Sequence, residues 1–368
     1  MKILFFDEFD LRNFGGKEKV IIEIAKGLSK KYKVKISSTD AIKVERISSK
    51  ELEEILNGIP YERIKSIKIF KHSILLNPFE VFKLVKENDI IYCTSPDFFS
   101  NFLIILFSKI LGKKTILGFH DPDIFSTKSR IKKIKRFFDI SLIGFFDSFH
   151  ILTKAQIEKL KAYKNKKFLI PNFYDKKLEK FSPKYENEFR ALFIGRLSKQ
   201  KGADLLPIIA KDLENEKIKF IVIGEGEEKE KIKEKIEELK LKNIFLLGFV
   251  SEDRKIKELK KASILIFPSR FETFPLTIVD ALACGLPFVG FKIKEVEEIS
   301  TKENSYLAKP FDVKEFEEGI KFFYRKWKEK NEYIKLRRKI KESSRIFSIE
   351  NVLKEYEKMF KETLKTIN

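Results

Sequence analysis

The sequence predicts an α/β chain of two doubly wound, Rossmann-like domains that face a central cleft. Three observations carry this expectation. The chain has 368 residues, too many for one ordinary domain and comfortable for two of about 150–180 residues each. Short apolar runs alternate with amphipathic charged stretches, the pattern of repeated β-α units around a parallel sheet. Near residue 188 the same rhythm starts again, without any tandem repeat of sequence.

In the first half, Lys2–Phe6 reads as a buried strand, followed by a Gly15-Gly16 turn. A helix over Lys17–Lys31 follows, with Val20, Ile21, Ile24 and Leu28 on one face. Val34–Ser38, Asp89–Cys93, Lys114–Phe119 and Ser148–Leu152 continue the series of strands, and Leu169-Ile170 leads into Pro171-Asn172. Residues 1–175 therefore form the expected N-terminal domain, and the polar segment 176–188, with Pro183, the linker. In 189–350, five apolar runs read as strands: Ala191–Gly195, Phe220–Gly224, Ile244–Gly248, Ile264–Pro268 and Pro287–Gly290. The helix over Glu227–Lys240 carries Ile232, Ile236 and Leu239 as one stripe. A long charged helical stretch over Glu315–Glu342 precedes a last helix in 351–368, expected to return to the N-terminal domain.

Apolar residues make up 43% of the chain, which is ample for two cores and argues against disorder. Lys and Glu abound while Gln, Cys and Met are scarce, a thermophile-like composition. Two cysteines give no disulfide framework, and three histidines argue against a His-rich metal site. The opening MKILFFDEF lacks the apolar stretch of a signal peptide, and Phe102–Phe107 falls far short of a membrane span, so a cytoplasmic protein is expected. The net charge is +21, and residues 101–180 hold 18 basic against 7 acidic side chains, a net +11. Such a surface suits anionic partners or is simply a Lys-rich solvated face. Within it, Lys128–Phe138 places basic residues beside Ile131, Ile134, Phe137 and Phe138 at helical spacing. That is either an amphipathic helix for an anionic membrane or an ordinary surface helix with a buried face.

In doubly wound sheets, ligands bind beyond the carboxyl ends of the strands, which directs attention to the loops. Arg196 and Lys201-Gly202 follow one strand end and precede a helix, so they form a candidate pyrophosphate clamp. The alternative is a pair of solvated cations. Gly248-Phe249 follows another strand and could edge a planar base. In Pro268–Pro287, Pro275 suits a first helical position and Gly285 a C-cap, so a helix starts near Leu276. Glu272 then stands just before the helix and Asp280 about two turns in. For Glu272 the plainer reading is stabilisation of the helix dipole, and for Asp280 an exposed helical position. Asp121-Pro122-Asp123 looks like a metal-binding Asp-x-Asp, but no further ligands accompany it and no metal is expected. Gly224-Glu225-Gly226 begins like a dinucleotide fingerprint, yet Lys229 stands where the third glycine belongs.

These residues together resemble the retaining glycosyltransferases of family four, which have the GT-B fold. The resemblance rests on Glu272, Phe274-Pro275-Leu276, Asp280 and Ala283-Cys284-Gly285-Leu286-Pro287. It extends to Arg196, Lys201-Gly202, Gly15-Gly16, His120-Asp121 and Pro171-Asn172, in order along almost the whole chain. The resemblance implies that Arg196 and Lys201 hold a donor diphosphate, helped by the backbone N–H groups around Phe274-Pro275-Leu276, where Pro275 itself has none, and by the Gly16 loop. It implies that Glu272 positions the transferred sugar, Asp280 holds the ribose and His120 meets the sugar near the reacting carbon. The chain departs from the family where Asp280 replaces a Glu, Phe173 a Gly, and Lys294-Glu295 a glycine pair. The implied reaction moves a hexosyl group from a nucleotide sugar, UDP- or GDP-linked, to a hydroxyl of a glycan or polyprenyl or glycolipid acceptor. The nucleotide sugar is a substrate, so no cofactor, no metal and no nucleic-acid partner is expected. Rival expectations are a soluble glucan or sucrose-type synthase on the same fold, or a basic anionic-polymer-binding protein with a vestigial sugar site.

Overall fold

A computed structural model of the chain describes residues 1–42, 45–70, 73–120 and 140–366. The chain divides into two compact units, residues 1–172 with 349–368, and residues 173–348.

The first unit is built on a seven-stranded sheet whose neighbours all pair in parallel. Its strands are β1 (Lys2–Asp7), β2 (Lys33–Thr39), β3 (Tyr61–Ile64), β6 (Ile90–Cys93), β7 (Lys114–Gly118), β8 (Ser148–Ile151) and β9 (Lys166–Leu169). A separate antiparallel hairpin joins β4 (Ser66–Phe70) to β5 (Ser73–Leu76). The sheet order β3-β2-β1-β6-β7-β8-β9 reverses at β1. The loop after β1, with Gly15-Gly16, thus leaves the sheet at its switch point, where doubly wound folds bind ligands.

The helix Gly16–Ser29 starts from that loop and buries Val20, Ile21, Ile24 and Leu28 together with Ile22 and Ala25. Each large aliphatic side chain buried in this way stabilises the fold by about 1.5–3 kcal/mol. The last helix, Ile349–Lys365, also belongs to this unit and lies hard against the first. A Cβ added at Gly27 would meet Leu353 Cδ1 at 2.4 Å, so a larger residue there would have to push the Leu353 side chain aside.

The second unit carries a six-stranded parallel sheet of β10 (Phe189–Ile194), β11 (Ile218–Ile223), β12 (Ile244–Gly248), β13 (Ile264–Phe267), β14 (Phe288–Phe291) and β15 (Ser305–Ala308). Its order, β12-β11-β10-β13-β14-β15, reverses between β10 and β13. The five apolar runs read from the sequence are its first five strands; β15 is the sixth. The polar segment 176–188 lies inside this unit. The buried Arg337 donates to the carbonyls of Lys184, Cys284 and Gly285, tying that segment to the end of the helix Leu276–Ala283.

The single helical stretch expected over 315–342 is two helices, Val313–Lys328 and Lys330–Ser343. Glu329, at φ −90° and ψ 75°, breaks it without glycine or proline. Packing explains the break: the second helix turns to bury Tyr333, whose hydroxyl donates to the Ser263 carbonyl. Among the described residues no helix is long and apolar enough to cross a membrane. Lys128–Phe138 and Asp121-Pro122-Asp123 lie outside the described residues.

Candidate functional site

In the second unit, the loops after β10, β11, β12 and β13 leave from the same sheet edge and are bonded to one another. Gly202, at φ +69°, lies so close to the next loop that a Cβ would come 2.0 Å from the Pro268 carbonyl oxygen. Across this contact the Arg270 N–H donates to the Gln200 carbonyl at 2.8 Å. The Arg270 guanidinium grips Asp204 with two bonds, of 2.6 and 2.9 Å. On the other side, a Cβ at Gly224 would come 1.8 Å from the Gly195 carbonyl oxygen, and one at Gly226 would come 2.3 Å from that of Leu197. The Gly-x-Gly of this loop is therefore explained by backbone packing against the β10 loop. The Gly224 N–H donates in turn to the Gly248 carbonyl at 2.9 Å. Phe249 beside it is 84% exposed, a flat apolar surface presented to solvent.

This scaffold brings Lys201 and Glu272 together across 71 positions of sequence: Nζ lies 2.6 Å from Oε1. Glu272 is only 5% exposed, and the Ser269 hydroxyl donates to the same oxygen at 2.6 Å. An ammonium has three donors, so the pairing with Glu272 leaves Lys201 with donors for an anion. Arg196 is exposed on the same loop, and its guanidinium has no carboxylate partner among the described residues. The helix Leu276–Ala283 begins as expected, with Pro275 one residue before it rather than at its first position. Gly285, at φ +68°, follows its end in the left-handed conformation that terminates helices. Phe274, buried, packs edge-on to Phe347.

Asp280 projects from this helix with both oxygens engaged. Oδ1 accepts the Asp175 N–H at 3.0 Å, and Oδ2 faces Lys255 Nζ at 3.4 Å. Sequence reasoning named neither partner, nor Ser269, nor the Arg270–Asp204 pair. The Asp175, Lys255 and Asp204 contacts have no local signature, because each joins residues in different loops or elements; Ser269 stands three positions before Glu272 in the same loop, and only that spacing could have pointed to it.

In the first unit, Gly16 opens its helix, and the next residue, Lys17, pairs with the buried Asp7 at 2.7 Å. Asp7 also accepts the Thr94 hydroxyl at 2.9 Å. His120 stands just beyond β7, half-buried, with Nε2 2.7 Å from the Tyr92 hydroxyl. Burial pushes its imidazole well below the usual histidine range, and the charge of Lys17 pushes the same way. It is therefore neutral at physiological pH.

Residues 175–345 match the family model described as glycosyl transferases group 1. Over 146 residues the chain is 34% identical to an uncharacterized glycosyltransferase of Methanocaldococcus jannaschii, which covers 36% of each chain. Over 126 residues it is 31% identical to the 2-deoxystreptamine N-acetyl-D-glucosaminyltransferase of Niallia circulans, covering 33% of this chain and 32% of that one. The chain's matched part thus spans about a third of the length of these relatives. Among solved structures, HepE of Anabaena in complex with UDP and glucose superposes with a TM-score of 0.77 at 19% identity over 100% of both chains. TarM superposes at 0.78 with 15% identity, over 100% of this chain and 99% of that one. The fold is GT-B, and the likeness to glycosyl transferases group 1 lies in residues 175–345, within the second unit.

Proposed function

We propose that this protein transfers a sugar, with retention, from a UDP- or GDP-sugar to a hydroxyl of a glycan or lipid-linked acceptor. The observation that carries the proposal is the Lys201–Glu272 pair, held between two knitted loops with Arg196 exposed alongside. In this reading the donor binds at the loops of the second unit. The diphosphate meets Arg196 and the remaining donors of Lys201. As the bond from sugar to phosphate breaks, charge grows on the leaving diphosphate, and preorganised cations stabilise that charge more than they stabilise the ground state. Glu272, fixed by Lys201 and Ser269, orients the transferred sugar, while Asp280 meets the ribose and Phe249 edges the base.

The two cations supply the positive charge that a divalent metal supplies elsewhere, so transfer proceeds without metal or cofactor. The first unit binds the acceptor and contributes His120 to the sugar. Its helices Pro78–Glu87 and Phe98–Ile110 expose Phe79, Phe102 and Ile110, at 85%, 44% and 67%. Together with the basic excess of 101–180, this favours an acceptor with an apolar tail at an anionic, cytoplasmic membrane face.

The test is release of nucleoside diphosphate from UDP-glucose, UDP-N-acetylglucosamine and GDP-mannose, in EDTA, with and without anionic liposomes containing a polyprenyl phosphate. Release from one donor in EDTA, raised by the liposomes and lowered by added salt, is expected. Absence of release and of binding for every donor overturns the proposal. A strict need for magnesium or manganese overturns its metal-free form.

A further inference from the structure

We propose that Tyr92 and His150 are positioning residues for His120. They hold its ring neutral with the Nε2–H turned into the protein, leaving Nδ1 as a hydrogen-bond acceptor for a hydroxyl of the donor sugar. The inference rests on the reading that His120 meets that sugar.

The argument starts at the buried end of a polar chain. His150, on β8, has no exposed surface, and its Nε2 lies 2.9 Å from the Ile170 carbonyl oxygen. A carbonyl only accepts, so this nitrogen carries the proton. Burial lowers the His150 imidazole to about 4, so the ring is neutral at physiological pH and Nδ1 is bare. The Tyr92 hydroxyl lies 2.5 Å from that Nδ1. Burial raises its phenol well above the usual tyrosine range, so it stays protonated and donates its one proton to His150. The Tyr356 hydroxyl, which also bonds Tyr92, is 3.4 Å from the same nitrogen, and the shorter Tyr92 contact takes it.

With its proton committed, the Tyr92 oxygen can only accept from His120 Nε2, 2.7 Å away. His120 is neutral, so Nδ1 has no proton. Among the described residues nothing else bonds that ring. One carbonyl therefore sets the tautomer of a histidine three hydrogen bonds away.

The backbone is shaped to admit this chain. A Cβ at Gly118 would sit 2.1 Å from the Tyr92 hydroxyl oxygen, so the strand before His120 must carry glycine there. Phe119 is pinned on both sides: its N–H donates to the His150 carbonyl at 3.0 Å, and its carbonyl accepts Gln156 Nε2 at 2.9 Å. The groups facing His120 are Tyr92, His150 and Lys17. None is an anion, and Lys17 repels a protonated ring.

The chain has only three histidines, so nitrogen-15 histidine labelling resolves every ring, and His72→Gln assigns one of them. Long-range proton–nitrogen correlation of the full-length protein between pH 5.5 and 8 should show His120 and His150 both protonated at Nε2, and neither titrating. In Tyr92→Phe, His120 should begin to titrate towards its ordinary value of about 6.5. Turnover should fall about tenfold, with a new loss on the acid side. A wild-type His120 protonated at Nδ1, or titrating near its ordinary value, overturns the proposal whether or not any variant folds. Donor turnover is a separate readout. The expected spectrum with no turnover on any nucleotide sugar overturns the donor reading and leaves the His120 tautomer established.

Discussion

Lys201→Ala separates two jobs that the structure gives to one side chain. In the free protein Lys201 compensates Glu272, which is 5% exposed. Breaking a fully buried pair costs about 3–5 kcal/mol. Lys201 itself is 28% exposed and water reaches it, so a loss of about 1–3 kcal/mol is expected. The second job is phosphate binding. A nucleoside diphosphate at a hundred times its Kd stabilises the wild type by about 2.7 kcal/mol. For a unit of this size that is a rise in Tm of roughly 5–11 °C.

A charge-assisted hydrogen bond contributes about 1.5–3 kcal/mol, so losing the ammonium raises Kd by roughly ten- to a hundredfold. At the same ligand concentration about 0.4–1.4 kcal/mol of stabilisation remains, a shift of roughly 1–6 °C. Differential scanning fluorimetry with and without UDP and GDP measures both effects. Lys201→Ala combined with Glu272→Gln should recover free-state stability without recovering the ligand shift. Arg196→Ala, at an exposed position, should leave free-state stability alone and lose the shift. An undiminished ligand shift in Arg196→Ala combined with Lys201→Ala refutes the clamp.

Three further outcomes are expected. Glu272→Gln should lower kcat with little change in KM, because its contact matters as charge develops, whereas Asp280→Asn should mainly weaken donor affinity; steady-state kinetics showing the reverse would exchange the two roles. Gly202→Ala should destabilise the second unit by at least about 1 kcal/mol in chemical denaturation, since a Cβ meets the Pro268 oxygen at 2.0 Å and φ is +69°; a neutral result would mean that the two loops can separate at no cost. The third concerns pH. Unfolded, His150 takes up a proton below its ordinary 6.5, while the folded protein resists until about 4. Its contribution is therefore fully present above pH 6.5 and lost as pH falls through that window, by about 1.4 kcal/mol per pH unit. His150→Gln should show a shallower loss of stability between pH 6.5 and 4.5, and equal slopes would mean that His150 titrates normally in the fold.

Central strands were legible because a parallel sheet covered on both faces makes them apolar at every position. All four residues of β13 are buried, as are all four of β14. Of the four edge strands only β12 was legible; β3, β9 and β15 were not. β3 reads Tyr-Glu-Arg-Ile and β9 Lys-Lys-Phe-Leu, and each is half wetted with no periodicity to betray it. The helix Leu276–Ala283 was marked by local chemistry, with Pro275 before it and a left-handed glycine after it. The break at Glu329 had no such mark, since burial of Tyr333 rather than backbone preference produces it.

The sequence by itself determined the two-sheet α/β architecture, the switch-point loops and the residue types standing in them. Those follow from burial periodicity and turn chemistry, which act over a few residues. Only the tertiary structure decided which of those groups meet. It set Lys201 on Glu272 from 71 positions away. It gave Asp280 the Asp175 N–H and the Lys255 ammonium. It assembled Tyr92 between His120 and His150 from three different strands and their ends. Hydrogen bonds and ion pairs act over about 3 Å, and the separations that matter to them exist only after the sheets have formed.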